Sequence, residues 1–407
     1  MNTQQFHSDV LILGAGIGGY ETFRELNKLF KKRNIKKKIT IIDQNNFFTF
    51  TPLLHEVASG AVEPSHTAIP LRELLHGTPH DFFKARIHQI MPNHKTVETN
   101  RGTFSYDYCI VALGSGVNYF GTPGADKHTF NVRTLREAMR LREAMIRRLE
   151  NDHTDLIVSV IGGGYTGVEV ASQFAYFLQH DVKELYPNDT TSVHIIESSA
   201  ELVATLPPRA RVKLLKQLAK LKVNINLNSR VKEVKENSLV FQDGSEKTSH
   251  ITIWTAGIGN FANQFLPESM CEKGRMVLNE CLQGSTPGLY GVGDVVMAKN
   301  RNETYPHPQL GEAAHRHGTY VAKHIVASLE NKQLPVFHFK SAGTFMPVGE
   351  KYGIVISGGF VFSGLFAWWI RRTAYIMFIP GFRRKLQIAF DWTLKLFGFS
   401  YIIELEK

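Results

Sequence analysis

The sequence predicts an α/β fold with two Rossmann-like dinucleotide-binding domains, the second inserted in the first, followed by a C-terminal membrane-associating segment. Three observations predict it. A strand, a glycine-rich turn, a helix and a second strand ending in an acid occur near the N-terminus and again midway along the chain. After each such unit a further buried strand runs into a small-residue turn, and a third strand of that kind ends in Gly293-Asp294. The last residues then interleave large aromatics with clustered cations.

At 407 residues the chain exceeds one ordinary hydrophobic core, so two or three domains are expected. A content of 43% hydrophobic and 21% charged residues excludes a disordered or collagen-like chain. The net charge of +10, from 47 Lys+Arg against 37 Asp+Glu, suits anionic partners such as nucleotides or an acidic membrane face. Much of the excess sits in the run from Lys31 to Lys38, read as a solvated helix end and loop. Nucleic acid is not expected as a partner, because no recognition module stands behind the charge. Cys109, Cys271 and Cys281 are widely spaced, which argues against a disulfide framework, a cysteine metal site and a redox dithiol. No charged segment precedes the apolar Val10–Leu13, so no signal peptide is expected; the mature chain is expected to begin near Met1 on the cytoplasmic side.

Taken in order, Val10-Leu11-Ile12-Leu13 reads as a buried strand, Gly14-Ala15-Gly16-Ile17-Gly18-Gly19 as a turn, the stretch to about Leu29 as a helix, and Ile39 to Asp43 as a parallel strand. In G-x-G-x-x-G the first glycine makes the tight turn, the second admits the pyrophosphate, and the third lets helix and strand pack closely. The helix N-terminus supplies free N–H groups and a positive dipole end to the phosphates. Asp43 then stands where a carboxylate accepts the ribose hydroxyls; the alternative is a purely structural glycine turn.

Tyr108 to Ser115 is a strand ending in a small-residue turn at Gly114, and Thr134 to Glu150 a charged helix. The grammar then repeats: strand Ile157 to Ile161, turn Gly162-Gly163-Gly164-Tyr165-Thr166-Gly167, helix Val168 to Leu178, strand Ser192 to Glu197. Glu197 favours a free 2′-hydroxyl, and Ser198-Ser199 rather than an arginine follows, so NADH is favoured over NADPH; the alternative is a surface acid at a strand end. Glu169 emerges in the first turn of that helix, either to position a nicotinamide and handle a proton or to complement the dipole. Ile251 to Gly257 repeats the strand-to-glycine pattern. Asp294 either accepts a hydrogen bond from a flavin's ribityl chain or caps a helix. His307, His315 and His317 lie close in sequence, without an HExxH motif or carboxylates at ligand spacing, and no metal is expected.

Tyr352 to Ile370 is nearly uncharged and about long enough to span a bilayer. Gly353, Gly358, Gly359 and Gly364 interrupt it, so a hairpin of Ile354–Ser357 with Phe360–Phe362 is expected instead of a transmembrane helix. Beyond it, Leu365, Phe366, Trp368, Trp369, Tyr375 and Phe378 with Arg371 and Arg372, and then Arg383, Arg384, Lys385, Phe390, Trp392 and Phe397, describe helices lying in a membrane interface. The alternative is helices packed on the protein body or in a dimer. The expected domains are 1–118 and 285–340 for the first nucleotide domain, 119–284 for the second, and 341–407 for the tail.

These residues resemble the type II (single-subunit, non-proton-pumping) NADH:quinone oxidoreductases, flavoproteins with two dinucleotide-binding domains. Besides the fingerprints, the matching segments are Thr51 to Gly60, Tyr119 to Ala125, Ile253 to Gly257, Ala367-Trp368-Trp369, Gly381-Phe382-Arg383 and Trp392. The resemblance implies FAD held by Gly14, Gly16, Gly19, Asp43 and Asp294, with His55 and Gly114 nearby, and NADH on Gly162, Gly164, Gly167 and Glu197. Gly257, Gly311 and Glu312 join the cofactor-binding set. Glu169, Glu312 and His315 are the candidate proton donors to a quinone. A monotopic anchor, a homodimer and a place on the cytoplasmic face of the inner membrane are also implied. One departure concerns the acceptor: relatives usually carry an Ala-Gln pair and a second Gln four residues after the first, where this chain has Gly311-Glu312 and Arg316, an acid and a base at pairing distance on a helix. A same-fold reductase with a non-quinone acceptor, or a flavin- and NADH-binding sensor, are the alternatives.

Overall fold

The computed structural model describes residues 4–152 and 155–396. The expected anchor beyond 396, Phe397 included, lies outside the described residues. The chain forms two compact units, one of 1–50, 68–116 and 259–341 and another of 51–67, 117–258 and 342–407.

Strand β1 (Gln5–Leu13) leads through the first glycine turn into helix α1 (Ile17–Arg33) and strand β2 (Ile39–Asp43). Helix α1 runs a turn past Leu29, and Lys31, Lys32 and Arg33 in its last turn complement the negative end of the dipole before left-handed Asn34 stops it. Helix α2 is Leu54–Ala58. Strands β3 (Asp81–Lys84), β4 (Ile87–Met91), β5 (Thr96–Thr99) and β6 (Gly102–Val111) follow, then helix α3 (Leu135–Asp152). The second repeat is strand β7 (Leu156–Ile161), helix α4 (Tyr165–Phe177) and strand β8 (Thr191–Ile196). Helix α5 (Pro208–Lys220) precedes strands β9 (Asn224–Asn226), β10 (Ile251–Trp254) and β11 (Leu289–Gly291), and helix α6 is Gly311–Leu329. The tail consists of strands β12 (Thr344–Pro347), β13 (Gly353–Ser357) and β14 (Phe360–Gly364) and helices α7 (Leu365–Phe378) and α8 (Phe382–Leu396).

The first unit is built on a sheet ordered β3-β2-β1-β6-β5-β4, with β11 also on β6. β1 pairs in parallel with β2 (Val10 with Ile39, Leu13 with Ile42) and with β6, while β5 runs antiparallel to β6. Val10 to Leu13 and Ile39, Ile41 and Ile42 are fully buried, as near-continuous apolar strands covered on both faces should be. The second unit repeats the plan in a parallel sheet ordered β9-β8-β7-β10.

The compact units divide the chain differently from the boundaries expected at 118, 284 and 340. Residues 259–284 fall with the first unit, because Met276 and Val277 pair in parallel with Val296 and Met297. Residues 51–67 and the tail fall with the second, where α2 packs on α3 and β13 on α5. The expected hairpin forms, turned by Gly358-Gly359, with Ile354 opposite Ser363 and Ile356 opposite Val361. Among the described residues no helix is long and apolar enough to cross a membrane.

The tail helices are two-faced. Trp368 (1% exposed) and Trp392 (3%) are buried with Ala367 and Ile388, whereas Phe366 (65%) and Phe382 (75%) are exposed with Leu365, Trp369, Met377, Phe378, Leu386 and Phe390. One expectation is corrected here. Arg371 and Arg372, read as cations at a membrane interface, are each 2% exposed, because carboxylates from elsewhere in the second unit meet them inside.

Candidate functional site

In the first unit Gly14 donates its N–H to Ile42 O at 2.8 Å, and Asp43 Oδ2 accepts the Ala15 N–H at 2.7 Å. A Cβ on Gly19 would stand 1.9 Å from Gly14 O and one on Gly14 2.5 Å from Ala112 O, so neither place tolerates a side chain. A Cβ on Gly16 would meet nothing within 4 Å. The outer glycines are therefore demanded by the protein's own backbone, and the middle one opens onto space at the start of α1, whose first turn holds no acid. Free N–H groups beside open space fit a dinucleotide's pyrophosphate. Burial pushes the Asp43 carboxyl up, opposed by hydrogen bonds from Ala15 and Asn45.

The second unit repeats the turn's backbone bond, its acid's bond and its third-glycine clash. Gly162 donates to Ile196 O at 2.8 Å, and Glu197 Oε2 accepts the Gly163 N–H at 2.6 Å. A Cβ on Gly167 would lie 1.8 Å from Gly162 O, while one on Gly164 meets nothing. Glu197 Oε1 takes the Ser199 N–H at 2.7 Å and the Ser199 hydroxyl at 2.5 Å. Burial raises its carboxyl, but these donors outweigh burial and hold it below the usual range. Glu197 and Gly162 line a cleft of about 420 Å³ with Trp254, Arg230 and Lys232. The two cations went unread in the sequence because they lie more than thirty residues beyond the fingerprint's acid. Gly257 lies three residues beyond β10 in a left-handed conformation, where a Cβ would stand 2.4 Å from the Phe120 ring.

Elsewhere in the first unit, Asp294 Oδ2 accepts the Ser115 hydroxyl at 2.6 Å beside Gly114. Asp294 lies inside a single 3₁₀ turn, Gly293–Val295, not at the cap of a helix, which removes its bland alternative. Gly311 opens α6 against Ile17. Glu312 and Arg316 form the anticipated i, i+4 pair, at 2.8 Å, and Glu312 Oε2 also accepts the Ser341 hydroxyl at 3.0 Å. His315 turns instead towards α1, its Nε2 3.4 Å from buried Glu21, which also accepts from Arg24 and the Thr319 hydroxyl. Glu312 and His315 thus address different partners. His307 and His317 meet each other at 3.0 Å, a pairing that does not include His315. Among the described residues one group, His7, Asp9 and Asp107, has metal-ligand spacing, but Lys37 donates to Asp9 at 2.7 Å and to Asp107 at 3.0 Å, so an ammonium holds that position.

The second unit also gathers a cluster that the sequence reading anticipated only in part. Glu56 of α2 pairs with Arg371 of α7 and accepts the Trp392 indole N–H at 2.7 Å. Arg372 lies 3.6 Å over the Trp368 ring and 4.6 Å from that of Trp392, and meets Glu350 at 3.2 Å. Gln173 of α4 donates to Glu350 and to Ser59, both at 3.0 Å. His55 is buried 3.7 Å from Glu56; burial, then the charge on Arg371, lowers it to about 3, leaving a neutral ring. Glu169 is half-buried, and burial, opposed by Arg371 and assisted by Glu56, raises it to about 8. Burial works against the charge on Arg371, but Glu56, Tyr375 and Glu169 keep it protonated. The legible signal for Glu56 was a lone acid among Leu53, Leu54, Val57 and Ala58, all buried, since a carboxylate in such company needs a partner.

Residues 8–318 match the family described as pyridine nucleotide-disulphide oxidoreductase. The chain is 26% identical to a probable NADH dehydrogenase of Dictyostelium discoideum, over 94% of this chain and 88% of that protein. It is 27% identical to a type II NADH:quinone oxidoreductase of Haemophilus influenzae, over 84% and 85% respectively. Its fold superimposes on that of NDH2 from Plasmodium falciparum, solved in complex with NADH, with a TM-score of 0.86 at 20% identity, covering 97% of this chain and 99% of that one.

Proposed function

Because this chain belongs to the pyridine nucleotide-disulphide oxidoreductases, we propose that it oxidises NADH through FAD and passes the electrons to a membrane quinone without pumping protons. The observation that carries this reading is the doubled turn, in which a strand-end acid locks the middle N–H and the second fingerprint glycine opens onto space. FAD, when bound, supplies the chemistry of accepting a hydride and returning two electrons.

The residues bind and orient. Gly14, Gly16 and Gly19 seat a pyrophosphate at the start of α1, Asp43 takes the ribose hydroxyls, and Asp294 takes the ribityl chain. Gly162, Gly164 and Gly167 do the same for NADH, and Glu197 prefers the free 2′-hydroxyl. Glu169 holds a proton up to about pH 8 and hands it to the reduced quinone. Proton supply is assigned to it over Glu312, which is ion-paired with Arg316, and over His315, which is turned to Glu21.

The exposed aromatic face of α7 and α8, with Arg383, Arg384 and Lys385, is assigned to the cytoplasmic surface of the inner membrane, entered from one side. A homodimer belongs to the same reading and is tested by sedimentation in detergent.

The deciding experiment is spectroscopic. The purified protein should be yellow, NADH added without oxygen should bleach it, and a quinone analogue should restore the colour. Colour that NADH leaves untouched refutes the first half-reaction. Bleached protein that ignores quinone but is reoxidised by ferricyanide supports a second reading, a reductase with another acceptor, for which the Glu312–Arg316 pair is the motivating observation.

A further inference from the structure

His317 of α6 and His307 are both buried, as is Asn300. Their hydrogen bonds form one directed chain. Gly293 N–H can only donate, so His317 Nδ1, 3.2 Å away, is the acceptor. The neutral His317 ring then carries its proton on Nε2 and donates to His307 Nδ1 at 3.0 Å. His307 in turn donates from Nε2 to Asn300 Oδ1 at 3.0 Å. Asn300 is oriented by Phe339, whose N–H it accepts at 2.6 Å and whose carbonyl takes its Nδ2 at 2.9 Å. Every polar atom of the three side chains is used, and each tautomer is fixed by the bond before it.

The chain ends on the turn that carries Asp294. Val292 N–H makes a 3.0 Å bond to Val111 O. Gly293 then departs with φ +78°, and its N–H goes to the His317 ring instead of to the sheet. The same turn is gripped by Gln309, which donates to Asp294 O at 2.9 Å, and by Ser115 on the Asp294 carboxylate. The side chain nearest to where a Gly293 Cβ would stand is Ala314, at 3.3 Å, which carries no acceptor for the Gly293 N–H. Apolar packing alone would have filled this space without a buried relay of three polar side chains, each costly unless satisfied. Burial lowers His307 to about 4 and His317 to about 3, which keeps both rings neutral and the direction of the chain intact.

We propose that His317, oriented by His307 and Asn300, is a positioning residue that fixes the Gly293–Asp294 turn for flavin binding. It touches no reacting atom and acts through the Gly293 N–H. The proposal rests on the first unit's being the FAD site.

The test is the dissociation constant of FAD from the holoenzyme, read from released flavin fluorescence on dilution, together with the thermal midpoint of flavin-stripped protein. His317→Leu orphans both the Gly293 N–H and His307 Nδ1, and should raise the FAD dissociation constant about tenfold. His317→Gln keeps an acceptor and a donor on one side chain and should stay within about twofold of wild type. Should His317→Leu fail to fold, Asn300→Ala, at the far end of the chain, should raise the constant about threefold. Unchanged FAD affinity in the variant that folds, or equal impairment of His317→Gln and His317→Leu, overturns the proposal in favour of plain packing. Wild-type protein that purifies colourless and takes up no flavin sinks the underlying FAD assignment instead, and shows this before any variant is made.

Discussion

Replacing Glu56 by Leu should be among the costliest single changes in the second unit, and the structure says by how much. Arg371 is 2% exposed, pairs with Glu56, lies 4.9 Å from the Tyr375 ring, and makes no hydrogen bond through Nε or Nη1 among the described residues. Removing the carboxylate leaves a buried guanidinium with only weaker neighbours, which costs about 3–5 kcal/mol. For a unit of this size that corresponds to a fall in Tm of roughly 6–20 °C. Differential scanning calorimetry of the holoprotein measures it, with Lys235→Ala in the exposed Lys235–Glu246 pair as the control that should not move. The double variant Glu56→Leu with Arg371→Met removes both charges and should recover most of the loss. A second readout follows from Glu169: with Glu56 no longer assisting the rise, its pKa falls, so the alkaline limb of the activity profile moves to lower pH. A Glu56→Leu protein as stable as the control, or a double variant no better than the single one, would refute the reasoning.

Four further outcomes are expected. Glu169 rises from 4.5 to about 8, so it is protonated at pH 7; quinone reduction should decline as pH passes about 8, and Glu169→Gln should abolish that limb. By linkage, the raised folded-state pKa contributes stability that is full below 4.5 and is lost as pH climbs through 8, so the Tm of wild type but not of Glu169→Gln should fall across that window. Gly16→Ala meets no protein atom within 4 Å and should leave the flavin-free Tm unchanged while losing FAD, whereas Gly19→Ala, 1.9 Å from Gly14 O, should lose both fold and flavin. Phe366→Ser with Phe382→Ser should cut co-sedimentation with anionic vesicles by at least roughly tenfold at unchanged Tm.

The repeated units were legible because their chemistry is local. A buried apolar strand, glycines at fixed offsets and a strand-end acid lie within about forty residues, and backbone geometry dictates the rest; the Ala15–Asp43 and Gly163–Glu197 contacts are what that spacing requires. The Glu312–Arg316 pair was legible for the same reason, being one helical turn. What stayed hidden depends on partners far away in sequence. Arg371 and Arg372 look like interfacial cations among aromatics until Glu56 and Glu350 are placed beside them, and Glu56 is 315 residues from Arg371. His315 looked available to a quinone because nothing nearby in sequence announces Glu21 on α1. Of the three histidines close in sequence only His307 and His317 belong to the relay, and neither that choice nor its direction, which the Gly293 N–H supplies, could be read from spacing.

The two faces of the tail settle how its role can be tested. On the inner face Arg371, Arg372, Trp368 and Trp392 complete Glu56 and Glu350; Asp391 accepts from His66 at 2.6 Å, and Lys395 pairs with Asp181. Deleting the chain after Lys351 would therefore strip Glu56 and Glu350 of their cations while exposing α2 and the face of α4 that carries Gln173. Such a protein would fail to bind vesicles because the second unit is damaged, and its failure would say nothing about lipid. The outer face is separable at Phe366, Phe382 and Phe390, which are exposed, so exchanging them for serine removes apolar area without orphaning a charge; Trp369 is left in place because its ring packs edge-to-face on buried Trp368 at 5.1 Å. Loss of vesicle binding by outer-face variants that keep the wild-type Tm and flavin content would establish docking through the tail. Full binding by the same variants would move the contact elsewhere on the chain, leaving α7 and α8 as structural helices that happen to carry an oily side.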